Sequence, residues 1–382
     1  MEKNDNSSWD LLTDALVEIL VRVPPNARRR LRLVSRHWRE LIDHRTGTDM
    51  RSRSKIIAVS DKGLGLMSVI DILTPGSPRR LLWQTDIATA RRYSMMSIAG
   101  TCNGLVCLCD DHTPGGAITV ANPSTGEALP LPPLPTPSAD VHLSSNSSWN
   151  WNQTYSFGYD HTTRRYKVVH VPCTFDDRPD IVHVFTLGEA SWRAVHTGGT
   201  DARCSPGTSC LAQVDGTVYW LTMDAGKIMS FDLIHERVMC TEPLPVPAMA
   251  STYHLAKVHG SLGVAVGDND SVTVWVLEGE RWRRRYVLEV ERLRRQKTWM
   301  TRELLVHGDY FLTFTPQSWN GTVVLYRHNL SENSGSQDGV VQVKHRDRGE
   351  ELTYFSCFIY QTFSYVETKE PLGLYNDVLV HN

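Results

Sequence analysis

The hydrophobic rhythm of this chain changes once. Up to about residue 42 apolar residues recur every three or four positions; from Lys55 onward they alternate in short runs broken by Gly, Pro, Asn and Asp. In the first stretch Leu12, Leu16, Ile19, Leu20 and Val23 gather on one face of a helix. Thr13 is the predicted cap, with Asp14 in the first turn. Pro24-Pro25 stop the helix, because proline cannot continue the hydrogen-bond ladder. Asn26 opens a second predicted helix. Its apolar stripe is Leu31, Val34, Trp38 and Leu41, with Arg28, Arg30, Arg32, Arg36 and Arg39 toward solvent. Helices of about ten residues are not stable alone in water. The two faces must pack on each other and on something else.

The second stretch predicts strands: KIIAVS, GLVCLC, AITVAN, YKVVHV, IVHVFTL, GTVYWLT, KIMSFDL, SVTVWVL and GTVVLYRH. NGLVCLC at 103, DGTVYWL at 215, HGSLGVAV at 259 and HGDYFLTF at 307 form a diverged repeat, each with a glycine turn before an alternating strand. Gly216, Gly260 and Gly308 lie at intervals of roughly 45 residues, the length of a propeller blade. AITVANPSTGEALPLPPLP and KIMSFDLIHERVMCTEPLPVP share a second pattern: apolar strand, Asn or Asp turn, acidic position, proline-rich exit. One further blade fits between Gly104 and Gly216, opening at YSFGYDHTTRRYKVVHV. Residues 55–382 therefore predict a mainly β fold, a six- to seven-bladed β-propeller, in preference to a sandwich pair or a large barrel. Residues 9–45 form the small α-helical module, and the polar stretch 46–54 the linker.

Composition narrows the function classes. The chain has 382 residues and a net charge of −2, so bulk charge does not make it a polyanion binder. The arginines at 28–30 fall at the polar positions of an amphipathic helix without stacking aromatics between them, and nucleic acid is not the expected partner. No apolar run is long enough to span a membrane, and the N-terminus lacks a signal-peptide pattern. The eight cysteines form no C-x-x-C pair and are expected to be reduced.

Catalytic signatures are missing: there is no G-x-S-x-G, no H-E-x-x-H and no P-loop. Asp110-Asp111 and Asp176-Asp177 fall where solvated turns are expected, and His254 and His259 lack a third metal ligand. No catalytic residue, metal site or cofactor is expected. Two leads concern binding. ERWRRRYVLEVERLRRQKTW at 280–299 is basic and aromatic, and Arg283 and Arg285 are its candidates for holding an acidic segment; the alternative is a blade edge whose charges deter strand pairing. Trp149, Trp151 and Trp319 fall in predicted loops and are candidate target contacts, or covers of the core.

Leu11-Leu12-x-Asp14-x-Leu16-x-Glu18-Ile19-Leu20, then Val23-Pro24, then Leu31-Arg32-x-Val34-Ser35-Arg36-x-Trp38-Arg39 closely resembles the F-box family. It departs from the family at Leu12, where proline is usual, and at Arg28-Arg29, where leucines are common. NGLVCLC…ANPSTGEALPLPPLP, SFGYDHTTRRYKVV, VFTLGEASWRAV and VWVLEGERWRRRYVL resemble the F-box-associated propeller-type domain of plant F-box proteins, over about residues 98–290. The resemblance implies a non-catalytic substrate receptor of an SCF-type ubiquitin ligase in the cytoplasm or nucleus. A Skp-family adaptor would link it to cullin and RING subunits. By position, Leu11, Leu12, Leu16, Ile19, Leu20 and Pro24 would carry the apolar contact, and Leu31, Val34 and Trp38 match the rest of the motif. The rival readings are a ligase-independent scaffold and a propeller enzyme with an N-terminal dock.

Overall fold

In a computed structural model the chain is described over 55–61, 66–70, 80–84, 96–110, 117–135, 155–172, 180–204, 211–222, 227–245, 252–267, 271–289, 299–300, 306–307, 310–316, 323–330, 341–344, 350–355 and 358–375. In the N-terminal module it is described at 13, 15–17, 19–20, 31, 34–35, 37–38 and 41.

Six antiparallel sheets form the blades of a propeller. Blade 1 contains β1 (Lys55–Asp61), β2 (Leu66–Ile70) and β3 (Arg80–Gln84). Blade 2 is β4 (Met96–Cys102), β5 (Leu105–Asp110), β6 (Ile118–Asn122) and β7 (Glu127–Pro130). Blade 3 is β8 (Tyr155–Asp160), β9 (Arg165–His170), β10 (Ile181–Thr186) and β11 (Arg193–His196). Blade 4 is β12 (Ala212–Val214), β13 (Thr217–Leu221), β14 (Lys227–Asp232) and β15 (Arg237–Pro243). Blade 5 is β16 (Thr252–Val258), β17 (Ser261–Gly267), β18 (Ser271–Glu278) and β19 (Arg281–Glu289). Blade 6 is β20 (Trp299–Met300) and β21 (Val306–His307), both paired with β22 (Tyr310–Pro316), then β23 (Val323–Asn329) and β25 (Glu350–Phe355). Between β23 and β25 the chain crosses to blade 5, where β24 (Val341–Lys344) pairs in parallel with Tyr286–Glu289.

The ring closes with the last strand. β26 (Phe358–Tyr365) pairs antiparallel with β1, so the innermost strand of blade 1 comes from the other end of the domain. The inner strands β26, β4, β8, β12 and β16 touch in succession, and β16 touches β21. Between blades lie apolar clusters, such as Leu105, Val120, Phe157, Tyr166 and Phe185 between blades 2 and 3. The expectation of six to seven blades resolves to six. The longer stretch per blade goes into long connections and into β24.

The predicted repeat has a geometric basis. Asn103-Gly104, Asp215-Gly216 and His259-Gly260 are two-residue hairpin turns with both residues at positive φ, and each joins the first and second strands of its blade. This is the geometry for which Asn-Gly and Asp-Gly are favoured. A second turn recurs after Asn122, Asp160 and Asp232. The side-chain oxygen accepts from the backbone N–H two residues on, at 2.9, 2.8 and 2.8 Å. Gly126, Arg164 and Glu236 close these turns in the left-handed region. The proline-rich exits are latched to the next blade: Trp192 Nε1 donates to Pro132 O (2.9 Å), and Trp282 Nε1 to Pro243 O (3.0 Å).

Two expectations for the N-terminal module change. Thr13 is already helical, so it does not cap the first helix. The second helix is broken: Val34 lies in a turn, and Ser35 Oγ accepts the backbone N–H of Trp38 (3.1 Å). Serine competes for backbone donors and favours a helix start, so a new helix carrying His37, Trp38 and Leu41 begins there.

Candidate docking surfaces

Antiparallel blades have two unlike ends. First-to-second and third-to-fourth strand connections lie at one end, here the turn end. Connections between the second and third strands, and between blades, lie at the other, the loop end. The short turns described above are at the turn end. β1 begins there at Lys55, paired with Tyr365 at the end of β26. The chain preceding Lys55 therefore joins the propeller at the turn end.

Within the N-terminal module the adaptor candidates separate by exposure. Ile19 is 59% exposed and Val34 is 61% exposed, whereas Leu20 is fully buried. Leu16, Leu31 and Trp38 are half-buried. Ile19 and Val34 thus present apolar surface outward, while Leu20 and Leu41 are buried. Leu11, Leu12 and Pro24, and the departures at Arg28-Arg29, lie outside the described residues.

The target candidates fall into two groups. Trp149 and Trp151 belong to the connection from β7 to β8, and Trp319 to that from β22 to β23. Both segments join strand ends at the loop end, though the tryptophans themselves lie outside the described residues. Arg283 and Arg285 are instead on β19, the fourth strand of blade 5. Both converge on Glu278: Arg283 Nε lies 3.3 Å from Oε2, and Arg285 Nε donates to Oε1 at 2.6 Å. The register shifts between Val274 and Trp275, which leaves Arg285 as the extra residue of a bulge. β24 pairs with Tyr286–Glu289, beyond the arginines. Their geometry is that of a charged, internally paired strand edge, which deters further strand addition.

Buried polar groups in the propeller serve cohesion between blades. Lys167 Nζ sits 3.0 Å from Asp160 Oδ2, 2.9 Å from Glu236 Oε1 and 2.5 Å from Leu233 O. Arg193 adds contacts to Glu236, Thr186 and Glu189. This network ties blade 3 to the outer hairpin of blade 4. Burial alone would raise the Asp160 carboxyl, but hydrogen bonds from Thr163, Lys167 and Thr162 outweigh it and hold the group at about 2. Burial likewise opposes ionisation of Glu236, and hydrogen bonds from Arg193 and Lys167 bring it below the ordinary value. His170 is pushed down to about 3 by burial. Among the described residues no cluster of His, Cys, Asp or Glu could hold a metal. Cys107, Cys109 and Cys204 are buried and form no disulfide, and His259 bonds Tyr286.

The structure is a closed six-bladed propeller joined at its turn end to a helical N-terminal stretch. The comparisons agree. Residues 59–359 match the F-box associated beta propeller domain, farther in both directions than the 98–290 expected, and residues 9–47 match the F-box domain. The chain belongs to the F-box-associated propeller family. It is 26% identical to the F-box/LRR-repeat protein At2g43260 of Arabidopsis thaliana over 78% of this chain and 73% of that protein. It is 25% identical to the F-box protein At1g52495 over 69% of this chain and 64% of that protein, and 26% identical to the putative F-box protein At3g52320 over 84% and 81%; both are from Arabidopsis thaliana.

Proposed function

We propose that this chain is the substrate-recognition subunit of an SCF-type ubiquitin ligase. Its F-box docks a Skp-family adaptor, which joins it to cullin and RING subunits, and its propeller holds a target protein. The observation that carries this reading is the exposure of Ile19 and Val34 inside the residues matched as an F-box. Large apolar side chains kept outward, Ile19 on a helix and Val34 in a turn, suit docking into an apolar groove of a partner. In the same matched stretch Leu16, Leu31 and Trp38 are half-buried and Leu20 is fully buried.

The chain performs no catalysis in this reading. It works by proximity, raising the effective concentration of target lysines near the charged ubiquitin carrier. The loop end is the target face. It lies away from the strand end where the F-box linker enters, and it carries the longest connection of the ring, β7 to β8, as binding loops on a rigid scaffold tend to be long. Cytoplasm and nucleus both suit such a role. A scaffold working outside a ligase is the second reading, favoured only if the adaptor binds and no target is modified.

Co-purification with a Skp-family adaptor tests the docking. Ile19→Asp/Val34→Asp is expected to weaken capture by at least ~10-fold, since a charge is placed in each apolar contact. Undiminished capture would remove the assignment. With binding intact, loss of target ubiquitination on deleting residues 1–45 separates a ligase receptor from a scaffold.

A further inference from the structure

β26 ends at Tyr365 opposite Lys55, and with that pairing the ring is closed. The ten residues that follow, 366–375, nevertheless take a defined course across the turn end, from blade 1 over blade 2 to blade 3. We propose that this segment is a latch, separate from the closing strand, that holds blade 1 against blades 2 and 3 and fixes the point where the F-box linker enters.

Each step of its path has an anchor. Val366 and Thr368 pass directly over the Asn103-Gly104 turn. A Cβ on Gly104 would lie 2.2 Å from Val366 O and 2.6 Å from Thr368 Cγ2. Glycine is thus required there twice, for its φ of +86° and for the passage of this segment. Glu367 bridges two strands of blade 1, with Oε1 3.1 Å from Lys55 Nζ and 2.6 Å from Arg80 Nη2. Asn122, fully buried, works in both directions: its Oδ1 caps its own turn while its Nδ2 donates to Glu370 O (2.8 Å). The backbone N–H of Leu372 donates to Glu127 Oε2 (3.3 Å), and its side chain, 2% exposed, enters the core shared by blades 2 and 3. Tyr375 ends the path edge-on to Tyr166 of blade 3, with its hydroxyl 3.4 Å from Glu370 Oε1.

A segment with little regular structure of its own is ordered only if its anchors offset the conformational entropy it loses. Here they do so by spanning three blades. Glu367 is the positioning residue. It holds Lys55, the first residue of β1, so the base of the linker is tied to the tail as well as to the sheet. Naming residues 46–54 as the linker to a docking module rests on the adaptor-docking reading above; the hold on the blades does not.

The test compares the full chain, a chain ending at Tyr365, and the point variant Glu367→Gln/Leu372→Ala. Amide exchange is read in β1 and in the β6–β7 hairpin, with limited proteolysis of residues 46–54 and adaptor capture alongside. Releasing the latch is expected to speed exchange in both places by at least ~10-fold, because opening no longer breaks anchors on three blades. Linker cleavage is expected to rise by roughly 3-fold or more on the same grounds. Adaptor capture should stay unchanged. Unaltered exchange and cleavage in a folded variant would overturn the latch. Should the truncated chain fail to fold, the point variant decides by the same readouts. Loss of adaptor capture in the full chain would sink the docking reading without touching the latch.

Discussion

Neighbouring residues in this chain carry opposite duties. Ile19 points outward and Leu20 is buried, although both are apolar and adjacent. Helical periodicity places both near the predicted stripe; only packing tells which one faces out. His170 shows the same dependence on surroundings. Burial holds its imidazole ring neutral down to about 3, against an ordinary value of 6.5. The folded state therefore takes up the proton later than the unfolded chain. Its share of stability is full above about pH 6.5 and is lost progressively as pH falls toward 3. Asp160 acts in a lower window, losing its share as pH falls from 3.8 toward 2. Denaturant midpoints measured from pH 7 to pH 4 should fall for the native chain, and His170→Gln should flatten that slope. An equal slope in the variant would assign the acid sensitivity elsewhere.

At the scale of elements, the same turn serves different neighbours. Asn103-Gly104 and Asp215-Gly216 share their backbone geometry. No atom lies within 4 Å of a Cβ built on Gly216, whereas the latch sits on Gly104. Gly216→Ala should thus cost only about 1–2 kcal/mol, the price of a left-handed alanine. Gly104→Ala adds a backbone collision to the same strain and should lower the thermal midpoint clearly more. Equal losses in the two variants would show that the latch gives way freely. The glycine positions and the Asx turns were legible in the sequence because a positive φ and a side-chain cap each demand particular residues. The break at Ser35 was not. Leu31, Val34, Trp38 and Leu41 keep helical spacing across it, and a serine inside such a pattern reads as one polar position among others.

The whole molecule divides into a short F-box module and a propeller closed by its own last strand. Because β26 completes blade 1 without help from the module, residues 55–382 should fold alone. That fragment is expected to keep the thermal midpoint of the full chain and to lose adaptor capture entirely. A molten fragment would mean that the propeller needs the F-box to fold. Sequence by itself determined the change from helical to strand rhythm, the recurring turns, the propeller class and the F-box pattern, since each rests on local spacing and on residues suited to one backbone shape. Tertiary structure alone decided the number of blades, the course of residues 366–375, and the outward facing of Ile19. It also placed Arg283 and Arg285 on one carboxylate and away from the tryptophan-bearing connections. These depend on which strand ends meet around a closed ring, and residues far apart in the chain, such as Lys55 and Glu367, give no local sign that they will touch.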